Sequence, residues 1–225
     1  PVMPIPNDFQ KPTIMVPEDV LVEASGPLTL INIGEAMATD ESGIFSLSNN
    51  APSSFPLGIN TIIWTAVDGA GNMAIASQII TILDSTPPKI FPIDDISLEA
   101  RSSTQNLVTL NIPEISDEVG VMSISNDAPE VFPLGETIVT WTATDSSGNS
   151  ASDSQTITVV DTTSPTIIAP EPIIQEAIND IANPVRVGIS ESTDIMEITS
   201  ITNDAPEVFP LGETIVTWTA TDSSG

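Results

Sequence analysis

Asn126–Gly148 reads NDAPEVFPLGETIVTWTATDSSG, and Asn203–Gly225 repeats it residue for residue 77 positions later. A looser copy, NNAPSSFPLGINTIIWTAVDGAG, lies 77 positions upstream at Asn49–Gly71. Inside this stretch, Val139, Trp141 and Ala143 alternate with Thr140, Thr142 and Thr144. Period-2 alternation of β-branched and aromatic residues marks a half-buried antiparallel strand. The first copy keeps the phase with Ile62, Trp64 and Ala66. A fixed long period makes each period one folding unit of a tandem array.

Working outward, Asp145-Ser146-Ser147-Gly148-Asn149 and Asp68-Gly69-Ala70-Gly71-Asn72 are turn sequences. A second strand follows at Ser154–Val160, which completes a hairpin. Upstream, Phe132-Pro133-Leu134-Gly135 reads as a turn. Leu107–Ile112 and Ile96–Ala100 read as strands, and Leu28–Ile33 carries a matching alternation. No segment has helical periodicity with caps, and 20 prolines would interrupt most helices. Short strands with regular turns predict an all-β chain of tandem immunoglobulin-like β-sandwiches.

The joints are legible as Asp84-Ser85-Thr86-Pro87-Pro88 and Asp161-Thr162-Thr163-Ser164-Pro165. Proline keeps the residue before it extended, so each joint is expected to be short and stiff. The resulting division is 1–11 as a linker or the end of a preceding unit, then units at 12–86, 87–163 and 164–225. The third stops at the counterpart of Gly148 and has no equivalent of the closing strand, so the chain reads as a piece of a longer one.

Composition narrows the function. Lys+Arg number 4 against 31 Asp+Glu, a formal net charge of −27. That balance repels nucleic acid and anionic membranes and favours divalent cations. No apolar run approaches the 18 residues of a membrane span. With no Cys and no His, disulfides, Cys-ligated zinc, thiol nucleophiles and imidazole bases are absent. Carboxylate pairs remain, but an active site copied three times in line is not the plan of an enzyme. No N-x-[ST] sequon occurs, while the Ser/Thr rows offer sites for O-linked sugars.

The stretch FPLGETIVTWTATDSSGNSASDSQTITVVDTTSP, residues 132–165, resembles the C-terminal half of the HYR (hyalin repeat) domain. Thr39-Asp40, Ser116-Asp117 and Thr193-Asp194 fit its mid-domain aspartate. The resemblance implies immunoglobulin-like sandwiches of extracellular, cell-adhesion proteins. Animal units of the family commonly carry a cysteine pair, and its absence here is more like a prokaryotic surface protein. The leading expectation is therefore a structural or adhesive spacer at the cell surface. The alternatives are an acidic surface-layer lattice subunit, a carbohydrate- or protein-binding module, or an accessory domain of a secreted hydrolase. Expected partners are other copies, other surface proteins or carbohydrate.

Calcium is the candidate cofactor, because it takes six to eight oxygen ligands from carboxylates and carbonyls. Asp84 and Asp161 at the joints, with Asp40, Asp117 and Asp194 in mid-unit, are the candidate ligands. Their expected neighbour is the preceding hairpin turn. Asp68, Asp145 and Asp222 open those turns, where the simpler role is an aspartate bonding its own backbone. No EF-hand loop sequence occurs. The tryptophans sit on the apolar face of their strands, so they are assigned to core packing rather than to sugar stacking.

Overall fold

The computed structural model describes residues 8–225, so Pro1–Asn7 of the expected linker lie outside the described residues. Packing divides the chain into two compact units. One runs to Pro92 and adds Pro113–Ser125 and Trp141–Asp153; the other holds Ile93–Ile112, Asn126–Thr140 and Ser154–Gly225. These units cut across the 77-residue period. The repeats are therefore described by their strands.

The first repeat contains β1 (Thr13–Met15), β2 (Val20–Glu23), β3 (Leu28–Thr29), β4 (Met37–Thr39), β5 (Ile44–Asn49), β6 (Phe55–Pro56), β7 (Gly58–Asp68) and β8 (Met73–Leu83). The second contains β9 (Lys89–Ile90), β10 (Ile96–Glu99), β11 (Ile115–Ser116), β12 (Val121–Asn126), β13 (Gly135–Asp145) and β14 (Ser150–Val160). The third contains β15 (Thr166–Ile168), β16 (Glu191–Thr193), β17 (Ile198–Asn203) and β18 (Trp218–Asp222). The fold is all-β and immunoglobulin-like, with no helix among the described residues.

The main sheet of the first repeat runs β2-β8-β7-β5, and that of the second runs β10-β14-β13-β12. β7 and β8 pair antiparallel from Gly58↔Ile82 to Val67↔Met73, while β2 joins the far side of β8 in parallel. Small two-stranded pieces, β1-β4 and β3-β6, supply the opposing layer. The core lies between, built on Phe55, Ile62, Trp64, Ile80 and Ile82, with Val16, Val20, Ile31 and Ile33 packed against it.

Trp64 is 5% exposed and Trp141 2%, with Ile62 and Val139 fully buried, as the alternation requires. An indole N–H inside a core needs an acceptor. Trp64 Nε1 donates to Gln78 Oε1 at 3.2 Å. Gln78 then donates through Nε2 to the carbonyls of Glu18 (2.8 Å) and Ile33 (3.0 Å). One buried amide thus ties β8 to both the lead-in of β2 and the opposing layer. Gln155 in the second repeat donates to the Asp94 carbonyl at 2.7 Å.

Two expected strands differ. Leu107–Ile112 is not a strand: only Asn106 bridges to Phe132, although exposure still alternates along the segment. Of Leu28–Ile33, only Leu28–Thr29 pairs, with β6. Alternation reports an extended, half-buried chain, whereas a ladder also needs a partner edge within reach. The turn at Phe132–Gly135 is more than a turn, because Phe55, Phe132 and Phe209 are core side chains. The glycines that follow, Gly58, Gly135 and Gly212, have φ of 94°, 90° and 109°. A side chain at these positions would be strained, which accounts for the recurring glycine.

Candidate metal centre

The alternation that buries tryptophan does not stop at alanine. On β7 the inward positions run Ile62, Trp64, Ala66, Asp68; on β13 they run Val139, Trp141, Ala143, Asp145. A side-chain period of two gives the aspartate no choice of face. Asp68 and Asp145 are consequently 1% and 0% exposed, and Asp222 at the end of β18 is also buried.

Each buried carboxylate is shaped by its own turn. Asp145 Oδ1 accepts from the backbone N–H of Ser147 (2.8 Å) and Asn149 (2.9 Å), and Oδ2 accepts from Asn149 Nδ2 (2.8 Å). Asp68 has the same pattern with Ala70 and Asn72. Burial works against the charge of both groups. The hydrogen bonds from the asparagine side chain and the turn N–H groups outweigh it and hold both carboxyls below the ordinary aspartate range.

The remaining candidates converge on these carboxylates. Asp84, Asp117 and Asp145 form one cluster, Asp161, Asp194 and Asp222 a second, and Asp8, Asp40 and Asp68 a third. In each, one oxygen from every residue lies within 4.8 Å of the other two. All five sequence candidates fall in these clusters: Asp84 with Asp117, Asp161 with Asp194, and Asp40 in the cluster that Asp8 joins. The joint aspartate meets the hairpin of the following repeat: Asp84 meets Asp145, not Asp68. The turn role assigned to Asp68 and Asp145 holds together with membership of the cluster, because each residue has two oxygens.

Other groups lock the joint. Ser147 Oγ donates to Asp84 Oδ2 at 2.6 Å, and Asn149 Nδ2 reaches the Asp84 carbonyl at 3.1 Å. Asp117 Oδ1 accepts from the N–H of Val119 and Gly120. At the end of β2, Glu23 accepts from Ser85 N–H (2.7 Å), Ser85 Oγ (2.9 Å) and Thr86 Oγ1 (2.9 Å). Glu99 does the same for Thr162 and Thr163. Those bonds, led by the backbone N–H of Ser85 and of Thr162, lower the pKa of both glutamates.

Two carboxylate oxygens in the clusters, Asp8 Oδ2 and Asp161 Oδ2, are buried without a hydrogen-bond partner. In the first repeat Ala70 stands where Ser147 donates to Asp84, which leaves Asp8 Oδ2 without that hydroxyl. An all-oxygen donor set of hard carboxylates suits calcium or magnesium rather than a softer metal.

Sequence reasoning missed Asp8, Glu23 and Glu99. The joint signature is Asp-x-x-x-Pro, present as Asp8/Pro12, Asp84/Pro88 and Asp161/Pro165. The clamp is made by Glu23-Ala24 and Glu99-Ala100, and the same dipeptide recurs in sequence at Glu176-Ala177.

A profile of the HYR domain matches residues 83–159, from the last residue of β8 through almost all of β14. The chain belongs to the HYR domain family. It is 30% identical to hyalin of Lytechinus variegatus, over 97% of this chain and 45% of that protein. It is 34% identical to hyalin of Strongylocentrotus purpuratus, over 97% of this chain and 20% of that protein. The chain thus spans less than half the length of the hyalins it matches. Among solved structures, Protocadherin Gamma B7 extracellular cadherin domains 1–4 superpose with a TM-score of 0.33 at 13% identity, covering 92% of this chain and 66% of that one. A superposition that loose carries no argument about binding. This HYR chain is extracellular or at the cell surface. No helix among the described residues is long and apolar enough to cross a membrane.

Proposed function

We propose that this chain is a non-enzymatic spacer segment of an adhesion-type surface protein, whose joints are closed by calcium. One observation carries the reading: each aspartate cluster takes one carboxylate from the joint and two from the repeat that follows. A cation held there fastens the joint to the next sandwich. Three carboxylates this close repel one another, and the whole chain offers only four basic side chains to neutralise them. Calcium relieves that repulsion and accepts the oxygens left over by the turn hydrogen bonds, with backbone carbonyls and water completing its shell. The spacer role rests on the tandem plan and the clamped joints. Adhesive contact with other surface proteins is part of the same reading.

Calorimetric titration with calcium, at ionic strength matched by sodium, tests it. Extracellular calcium modules bind at about 10⁻⁴–10⁻³ M, and binding in that range should raise the melting temperature. Asp84→Asn and Asp117→Asn should abolish the response of the second site. No heat of binding and equal melting in both salts would remove calcium from the proposal and leave the acidic clusters as turn-forming residues.

A further inference from the structure

The outward face of the β2-β8-β7-β5 sheet is as unusual as its inward one. On β8 and β7 the core residues are even-numbered, so odd-numbered residues face away from the core. There stand Leu21 on β2, Ile59 on β7, and Met73, Ile75, Ile79 and Leu83 on β8. Leu21, Ile59 and Ile75 are 71%, 76% and 68% exposed. The register makes them one surface: Leu21 and Ile59 flank Thr81 from either side, and Ile79 and Ile75 lie opposite Thr61 and Thr65. In the second repeat the positions of Ile59, Met73, Ile75 and Ile79 are Glu136, Ser150, Ser152 and Thr156. The same face there is mostly polar, with Ile138 and Val160 as its exposed apolar residues. The apolar version is therefore a property of the first repeat and not of the fold.

We infer that this face docks a second copy of the chain, sheet against sheet about a two-fold axis. Area supports it: these six side chains expose roughly 700 Å², close to the ~800 Å² each partner gives a standard interface and above the ~300–600 Å² of an ordinary monomer's largest patch. Charge supports it too. In a chain of net charge −27, contact between copies elsewhere brings carboxylates together. The carboxylates on this face are both engaged within the chain: Glu23 by Ser85 and Thr86, and Asp19, at its edge, by the backbone N–H of Ile79 at 2.7 Å. An apolar sheet face is matched by a second apolar sheet face of the same twist, stacked at about 10 Å. An isologous pair supplies that with no other protein.

Sedimentation velocity of the 225-residue chain, in EDTA and about 0.5 M NaCl, tests the pairing with cation bridging removed and repulsion screened to about 4–5 Å. The expected result is a dimer that Ile75→Ser with Ile79→Thr weakens at least tenfold while the melting temperature holds. If that variant misfolds, Ile59→Glu replaces it, carrying the residue the second repeat tolerates. A wild-type chain still monomeric at about 100 µM would overturn the inference, since a face of this size should associate well below that. So would a folded variant that dimerises as tightly as the wild type.

Discussion

Asn126–Gly148 and Asn203–Gly225 are the same 23 residues in two settings. In the second repeat, Gly135–Asp145 is one continuous strand between β14 and β12, with Val139, Trp141 and Ala143 buried. In the third, only Trp218–Asp222 pairs, in a two-stranded sheet with β17, and Val216, Trp218 and Ala220 are merely half-buried. Nothing in the sequence of the stretch differs. What differs is the neighbour, because the third copy has no counterpart of β14 in this chain. Its place is a cleft of about 430 Å³ lined by Pro170, Ile173, Phe209, Leu211, Val216 and Trp218. Strand propensity is chiefly a measure of the surface a strand packs on, and these two copies separate the two influences.

The largest expected effect breaks the good copy and spares the open one. Trp141→Ala should cost roughly 3–5 kcal/mol in chemical denaturation, the usual range for a buried tryptophan. Trp218→Ala, at a side chain that is only partly buried, should cost less than half as much. Equal losses would mean that the two copies are packed alike in solution.

The second test closes the gap. Appending the sequence of Asn149–Asp161 after Gly225 should extend β18 back toward Gly212, fill the cleft and raise the melting temperature of the third repeat by several degrees, as ~1–2 kcal/mol does in a small domain. Hydrogen exchange at Ile215–Ala220 should slow in parallel. Unchanged exchange would show that β14 is not what orders β13.

The smallest effect is on acid stability. Asp68, Asp145, Glu23 and Glu99 all have folded-state pKa values below their unfolded ones. A lowered pKa contributes stability that is fully present above the unfolded value, near pH 4–5, and lost as pH falls through the folded value. The first two repeats should therefore loosen below about pH 4. Asp145→Asn should flatten that acid limb without moving the neutral melting temperature as far as Trp141→Ala does. An acid limb unchanged in Asp145→Asn, Glu99→Gln and their combination would assign the transition to other carboxylates.

The fold was legible because its decisive strand alternates through Trp141 without interruption and recurs at a constant offset. The failures were of two kinds. Leu107–Ile112 kept its alternation but found no ladder, since pairing depends on an edge that sequence spacing does not locate. Asp145 was legible as a turn residue, yet its burial follows from the same parity that assigned Trp141 to the core, carried two residues further. The convergence of Asp84 with Asp145 rather than Asp68 needed the path of the chain across the joint. Gln78 and Glu23 act through partners some 60 residues away, a separation at which local pattern is silent.

The split of each aspartate cluster across a joint has a consequence for how such a chain changes length. One carboxylate comes from the end of a period and two from the next, at fixed positions within it. An in-frame gain or loss of one whole period, wherever its breakpoints fall, therefore restores the joint signature upstream of a mid-repeat aspartate and a hairpin aspartate. Every new junction inherits a full set of three. Long identical stretches such as residues 126–148 and 203–225 invite unequal exchange at the level of the gene. This architecture lets the copy number drift in steps of 77 residues while the fastening between neighbours stays intact.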